Sequence, residues 1–357
     1  MQPATAHSFP VLSLDKAAPL LPKLLPLWNS PPPFASCRGI AERLLGFLTS
    51  SAVRKGSLEQ MQFQRCRMDM LGAIDRRVRA DKPVQLTLMA FPFKVPNPAK
   101  VGPRRMPDLA ELAALVQLYK LHQNAKAIYP PGLEIRIIHD GAYIADVFGV
   151  TQEEVCAYET YFSRLVEALG AKSFIRIHDI QALSHTAGFS NLGQHAARLR
   201  SSIRSWQCKA QKSDEWRERF CKTLGMINLR HLPAREVGCL LDHAASGRLP
   251  GEYGDLERQV RVAMLRYYLR DSLLHTLDPR PTCFPDAIHA TTQCRPFRLA
   301  VWMVSRGRSL LPWHGVGVIN RAGKWSVALA REVLWNPSYS PFYLDGEDTP
   351  FCYCQEA

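Results

Sequence analysis

Three short apolar runs constrain this chain more than any other feature. PVQLTLMA (83–90), LEIRIIHDG (133–141) and KSFIRIHDI (172–180) have strand length and branched residues, and segments with apolar residues at helical spacing separate them. The first separator, PDLAELAALVQLYKLHQNAKAIY, places Pro107 and Asp108 at a helix start. The second begins with YIADVFGV, which reads as a short extended piece. It continues as a helix with Thr151 as N-cap and Glu154 three residues on. Strand, helix, strand, helix, strand in that order predicts an α/β layer with a largely parallel sheet. Such sheets collect ligands beyond the carboxyl ends of their strands.

The flanks extend this plan. Residues 1–35 are proline-rich, end in NSPPPF and read as a leader outside the packed core, leaving 36–357 as one domain. Gly39 to Arg77 shows amphipathic helical spacing. From about 180 to 275 the chain is basic and helical, with AARLRSSIRSW, DEWRERFCKTL and LERQVRVAMLRYYLRDSLLHTL. FRLAVWMV, VGVINRAGKWSVAL and the extended PDAIHATTQ then predict a strand-rich C-terminal segment. Nothing repeats at a fixed period, which excludes a solenoid.

Apolar residues at 46% and charged residues at 22% of 357 are ordinary for a globular protein. No apolar run reaches the roughly 18–20 residues a membrane helix needs, and Pro22 and Pro26 interrupt the N-terminal apolar patches. A cytoplasmic location is the expectation. The ten cysteines contain no C-x-x-C pair, so they read as free thiols in a reducing compartment rather than zinc ligands. A net charge of +13 attracts anions, either nucleic acid or a phosphorylated metabolite. The arginine-rich helices read as solvated faces with i,i+4 charge pairs, and no RNP, KH or zinc-finger pattern supports nucleic acid.

Glycine-rich phosphate loops and the common hydrolase and kinase signatures are absent. FPFKVPNPAK, directly after the first strand, therefore draws attention. Pro92, Pro96 and Pro98 stiffen a loop that carries Lys94, Asn97 and Lys100. Lysine there suits a phosphate, a carboxylate or, if burial lowers its pKa, carbonyl chemistry; solvated loop charge is the plain alternative. LPWHGVGV offers His314 as a general acid/base beside Trp313, or a satisfied turn histidine. In IHATTQCR, strand alternation points His289, Thr291 and Gln293 to one wall, with Arg295 beyond. IIHDGAYIAD adds His139, Asp140 and Asp146, a turn with one ligand contact rather than a metal site.

FPFKVPNPAKV, MPDLAELAAL, IYPPGLEIRIIHDGAYIADVFGV, PDAIHATTQ and LPWHGVGV, in this order, resemble the isonitrile (isocyanide) synthases, the pyoverdine/dityrosine biosynthesis family. The resemblance spans about residues 84 to 320, with the basic helical middle poorly matched. It implies a Rossmann-like α/β fold and conversion of the amino group of an amino acid, tyrosine or tryptophan, to an isonitrile. Ribulose 5-phosphate is the implied carbon donor, and no metal or redox cofactor is implied. An iron(II)/2-oxoglutarate oxygenase is the implied downstream partner. Lys94 and His314 would be catalytic, Asn97 would orient substrate and Lys100 would take phosphate. Asp140, Asp146, His289, Thr291, Gln293 and Trp313 would complete the binding site.

The chain departs from the family pattern at several of these positions. Val95 stands where serine is common after the first lysine, Ala142 and Ala145 replace an arginine and a serine, and His289 to Cys294 replace R-x-S-x-H-P. Arg104, Arg105, Arg295 and Arg298 are the nearby arginines available to compensate. The changes also admit another amine chemistry on the same fold, such as N-formylation, and the charge admits a non-catalytic binder of nucleic acid or other anions.

Overall fold

The computed structural model describes residues 39–50, 52–53, 56–189, 214–292, 298–303 and 310–356. The leader, AARLRSSIRSW, Gln293 and Arg295 lie outside the described residues.

Helix α1 (Ile40–Ser50), the two-residue β1 (Ala52–Val53) and helix α2 (Gly56–Arg79) lead into β2 (Val84–Met89). A four-residue helix α3 (Pro98–Val101) and the long α4 (Leu109–Lys126) precede β3 (Leu133–His139). Helices α5 (Gly141–Phe148) and α6 (Gln152–Ala168) precede β4 (Ile175–Asp179), and α7 (Ile180–Thr186) follows it. Helices α8 (Asp214–Leu224), α9 (Ala234–His243), α10 (Gly254–Thr276) and α11 (Arg280–Cys283) lead to β5 (Ala287–Thr291) and β6 (Leu299–Val301).

These strands form one sheet in the order β1-β6-β5-β2-β3-β4, parallel from β6 to β4 with β1 antiparallel at the edge. The register sets Leu86 beside Ile135 and Ile288, and Leu88 beside Ile137 and Ala290, all on one buried face. Burying each leucine or isoleucine contributes about 1.5–3 kcal/mol. The chain runs outward from β2 through β3 to β4 and then returns to the other side of β2 at β5. The switch point, where ligands collect in such sheets, therefore lies between the carboxyl ends of β2 and β5.

The last segment forms a second sheet, β8-β7-β10-β9, from β7 (Val316–Ile319), β8 (Trp325–Ala328), β9 (Tyr339–Phe342) and β10 (Cys352–Gln355). A short helix, α12 (Ala330–Val333), follows β8. Helix α4 lies between the two sheets, touching β3 on one side and β7 and β8 on the other. That position explains why it buries residues all round, Glu111 included. The glycines of LPWHGVGV make this packing possible. A Cβ on Gly317 would stand 2.4 Å from Leu109 Cβ, and one on Gly315 would stand 2.6 Å from the Ala328 carbonyl.

The helix expected at Thr151 is present, with the reciprocal Thr151–Glu154 capping box. One expectation fails. YIADVF is not extended but lies within α5, which buries Ile144, Ala145, Val147 and Phe148 and ends at Gly149 with φ 71°. Tertiary burial of that face and the left-handed C-cap outweigh the strand preference of aromatic and branched residues. The charged faces of α8 and α10 carry the expected i,i+4 pairs, Arg219–Glu215, Lys222–Glu218 and Arg261–Glu257.

Candidate active site

The loop after β2 is built into the protein rather than laid over it. Phe91 leaves the strand with φ 59°, a left-handed conformation that is costly for an aromatic residue. It is held there by its ring contacts, 4.4 Å to Phe162 and 5.2 Å to Trp313 between centroids. Pro92 then meets the start of α5, where only a glycine fits: a Cβ on Gly141 would stand 2.2 Å from the Pro92 carbonyl oxygen. The Val95 N–H donates to the Trp313 carbonyl at 3.0 Å, so FPFKVPN and LPWHG are one joined structure.

Lys94 lies at the centre of this junction with its side chain fully buried. Its Nζ donates to Glu111 Oε2 at 2.7 Å, Glu111 Oε1 at 3.0 Å and the Pro312 carbonyl at 3.2 Å, and it lies 3.0 Å from Asp108 Oδ2. Asp108 and Glu111 are the N-cap and N3 residues of α4, whose capping box also satisfies the Ala110 and Asp108 N–H groups. The Tyr158 hydroxyl donates to Glu111 Oε1 at 3.3 Å. Burial pushes the Glu111 carboxyl up, and the Lys94 cation pulls the other way. The charge of Lys94 is thus taken up by two internal carboxylates.

Asn97 is also engaged. Its Oδ1 accepts the Ala99 N–H at 3.1 Å and its Nδ2 donates to the Leu224 carbonyl at 3.3 Å, which caps α3 and ties it to the end of α8. In the last turn of α3, Lys100 differs from Lys94. Its half-buried Nζ makes no hydrogen bond or ion pair among the described residues. It fills the space beside Gly225, where a Cβ would stand 2.3 Å from the nitrogen. Desolvation, then the Arg331 cation, lower its pKa to about 8. The His314 ring likewise makes no hydrogen bond among the described residues and stands edge-on to Trp313 at 6.1 Å. Desolvation, then the Lys100 and Lys94 cations, hold its pKa well below the ordinary value, so the imidazole is neutral.

A second group sits at the carboxyl ends of β3 and β4. His139 Nδ1 lies 2.8 Å from Glu159 Oε1 and 3.9 Å from Asp179 Oδ2, and all three atoms are buried without an aligned hydrogen bond. Next to them, the half-buried Asp140 carboxyl is pushed up to about 6, mainly by desolvation, with Asp271 and Asp179 adding to it. On β5, His289 Nδ1 is 2.9 Å from the Thr87 hydroxyl of β2, and desolvation lowers its pKa. Thr291 closes that strand near the switch point.

The structure therefore joins Lys94, Asn97, Lys100, Trp313 and His314. Asp140 borders them through the Pro92–Gly141 contact, and His289 and Thr291 are one strand away. Asp146 stands apart. It is more than half exposed and pairs with Arg266 and Arg270 of α10. Of the arginines available to compensate, three are already paired, Arg104 with Glu347, Arg105 with Glu154 and Arg298 with Asp278, and Arg295 lies outside the described residues. Asp108, Glu111 and Tyr158 escaped the sequence reading, which took Asp108 only as a helix-start signal and did not single out the other two. Gly225 carries no local motif that announces its contact with Lys100.

Fold and site define a doubly wound α/β protein whose polar groups gather at one edge of a parallel sheet. A family model described as pyoverdine/dityrosine biosynthesis protein matches residues 74–226. The L-tyrosine isonitrile synthase of Pseudomonas aeruginosa is 30% identical over 302 residues, covering 79% of this chain and 83% of that protein. An L-tryptophan isonitrile synthase of Fischerella ambigua is 36% identical over 107 residues, 30% of this chain and 33% of the relative. The crystal structure of the PvcA protein from Pseudomonas aeruginosa shares the fold, with a TM-score of 0.66 at 22% identity, covering 88% of this chain and 99% of that one. The chain belongs to the pyoverdine/dityrosine biosynthesis family, and it is an isonitrile-synthase-like enzyme of that family.

Proposed function

We propose that this protein makes an isonitrile from the amino group of an aromatic amino acid, tyrosine or tryptophan, with ribulose 5-phosphate donating the carbon. The observation that carries the reading is the Lys100 ammonium, unpaired among the described residues, beside the neutral His314, both fixed to the loop after β2. The named activities of the Pseudomonas and Fischerella relatives support the choice of reaction. In this reaction an amine joins a ketone with loss of water, phosphate then leaves, and a carbon–carbon bond breaks. Each step moves protons and develops negative charge, so a cation and a proton carrier are needed together.

Lys100 supplies the positive charge facing the co-substrate, and His314 accepts and returns protons. Asp140 receives the amino group of the amino acid, and Trp313 with Phe91 forms an apolar wall. His289 and Thr291 contact substrate from the β5 side. Lys94 and Asn97, whose polar atoms are engaged within the protein, hold the loop and act as positioning residues. The isonitrile product suits an iron(II)/2-oxoglutarate oxygenase as the next enzyme. Among the described residues, no helix is long and apolar enough to cross a membrane.

The test is a mass-spectrometric assay of purified protein with pooled amino acids and ribulose 5-phosphate carrying labelled carbon. The expected product is heavier than its amino acid by one labelled carbon and lighter by two hydrogens. A labelled formyl adduct in its place would select N-formylation. Consumption of neither co-substrate by folded protein would overturn both readings.

A further inference from the structure

We propose that Lys100 captures the carbonyl co-substrate covalently, as a Schiff base through Nζ, and passes it to the amine substrate by transimination, with His314 carrying the protons. This deepens the preceding reading and rests on its assignment of a ketone co-substrate. Four observations converge on Lys100. First, the two loop lysines are in opposite states: Lys94 Nζ is saturated by Glu111, Asp108 and the Pro312 carbonyl, whereas Lys100 Nζ has no partner among the described residues. A lysine nitrogen enclosed by two carboxylates and a carbonyl leaves no approach for a ketone carbon, whereas an unpaired, partly desolvated one can supply free amine.

Second, the nitrogen has a prepared place. It occupies the volume that any side chain at Gly225 would take, so a glycine at 225 is what leaves room for it. Third, its carrier is rigid. Pro98 begins α3, Asn97 caps it, and the Asn97 amide ties it to Leu224, the residue before Gly225. The nitrogen and the glycine that makes room for it are therefore held by the same short set of bonds. Fourth, a proton carrier stands close enough for the Lys100 charge to act on it, and the neutral His314 ring has no competing hydrogen bond among the described residues. The alternative location, at His139, Glu159 and Asp179, is lined by carboxylates and repels a phosphorylated co-substrate.

The steps balance without an oxidant or reductant. The lone pair of neutral Lys100 Nζ attacks the ketone carbon, forming a C–N bond. The π electrons move to oxygen, which takes a proton while Nζ loses one, to give a carbinolamine. His314, which took a proton from the Lys100 ammonium to free the amine, returns it to this hydroxyl, expelling water and leaving the protonated Schiff base. The α-amine of the amino acid then adds to the imine carbon. The C–Nζ bond breaks with proton transfer to Nζ, so Lys100 is regenerated and the substrate carries the imine. Positive charge on the protonated Schiff base makes that carbon more electrophilic than the ketone it came from.

Borohydride trapping tests this on the intact protein. Ribulose 5-phosphate with sodium borohydride should attach the sugar-phosphate skeleton to the peptide bearing Lys100. The yield should fall when the amino-acid substrate is added in excess before the reductant. Trapping should rise with pH through about 8 and level off above it, because attack needs the free amine. Lys100→Arg keeps the positive charge but cannot form an imine. It should retain ribulose 5-phosphate binding by calorimetry while losing roughly two orders of magnitude or more in turnover. Isonitrile turnover by the wild type with no adduct at Lys100, or Lys100→Arg turnover within about tenfold of wild type, would show that Lys100 acts by charge alone and would overturn the inference. An adduct at Lys100 without isonitrile formation would uphold the covalent role and overturn the proposed reaction instead. Absence of both would overturn both.

Discussion

Lys94→Met separates a structural lysine from a ligand-binding one. The substitution nearly keeps the side-chain volume and removes the cation from between Asp108 and Glu111, whose side chains are 2% and 0% exposed. Removing one partner of a buried ion pair costs about 3–5 kcal/mol, because the remaining charge is left in a low-dielectric site. The cost should depend on pH in a defined direction. Burial already raises Glu111 above its ordinary 4.5, and loss of Lys94 raises it further. Between the unfolded and folded pKa values the folded state binds the extra proton, so stability falls as pH rises through that window. Relative to wild type, the defect is smallest well below pH 4.5, where both states are protonated, and widest above neutrality. Urea unfolding followed by tryptophan fluorescence at pH 5 and pH 8 measures it. Adding Glu111→Gln to Lys94→Met should recover part of the loss at pH 8, since it removes the stranded carboxylate. A loss below about 1 kcal/mol at pH 8, accompanied by loss of turnover, would refute the structural role and return Lys94 to the substrate.

Gly225→Ala places a methyl 2.3 Å from Lys100 Nζ, but it displaces only the end of a flexible side chain. Unfolding free energy should change by less than about 1 kcal/mol while turnover falls by about tenfold or more, measured by urea melts and steady-state kinetics. Asp140→Asn removes a carboxyl whose folded pKa is raised from 3.8 to about 6. Full burial would make this about 3 kcal/mol, and partial exposure lowers it to roughly 1–2. The variant should therefore be more stable than wild type at pH 7.5 and equal to it well below pH 3.8, where both states carry the proton, while its turnover falls. Gly317→Ala forces β7 away from the start of α4, where the nearest atoms are Leu109 Cβ and the Ala110 backbone nitrogen. Its cost in urea unfolding should be about 1–3 kcal/mol or more, because that contact is too close for a methyl.

Much of the scaffold was legible because its signals are local. Val84–Met89, Leu133–His139 and Ile175–Asp179 are strands in the parallel sheet as their apolar runs predict, and Thr151 with Glu154 caps α6 as its spacing predicts. YIADVF misled because its residue types favour a strand, while burial of Ile144 and Phe148 and the turn at Gly149 favour a helix. The lysines of FPFKVPNPAK could be picked out but not told apart. Both follow a buried strand and lie between prolines, and the carboxylates that take up the Lys94 charge, Asp108 and Glu111, lie farther along the chain at the start of the next helix.

The sequence by itself determined the α/β layering, the helix starts, the family and the two segments that meet at the site, since periodicity, capping and motif order are written in adjacent residues. Only the tertiary structure decided which lysine is neutralised and which is free. That depends on carboxylates at 108 and 111, a carbonyl at 312 and a missing side chain at 225, residues brought together across the chain. A charge takes its character from what surrounds it in space, and burial makes the difference between those two surroundings large.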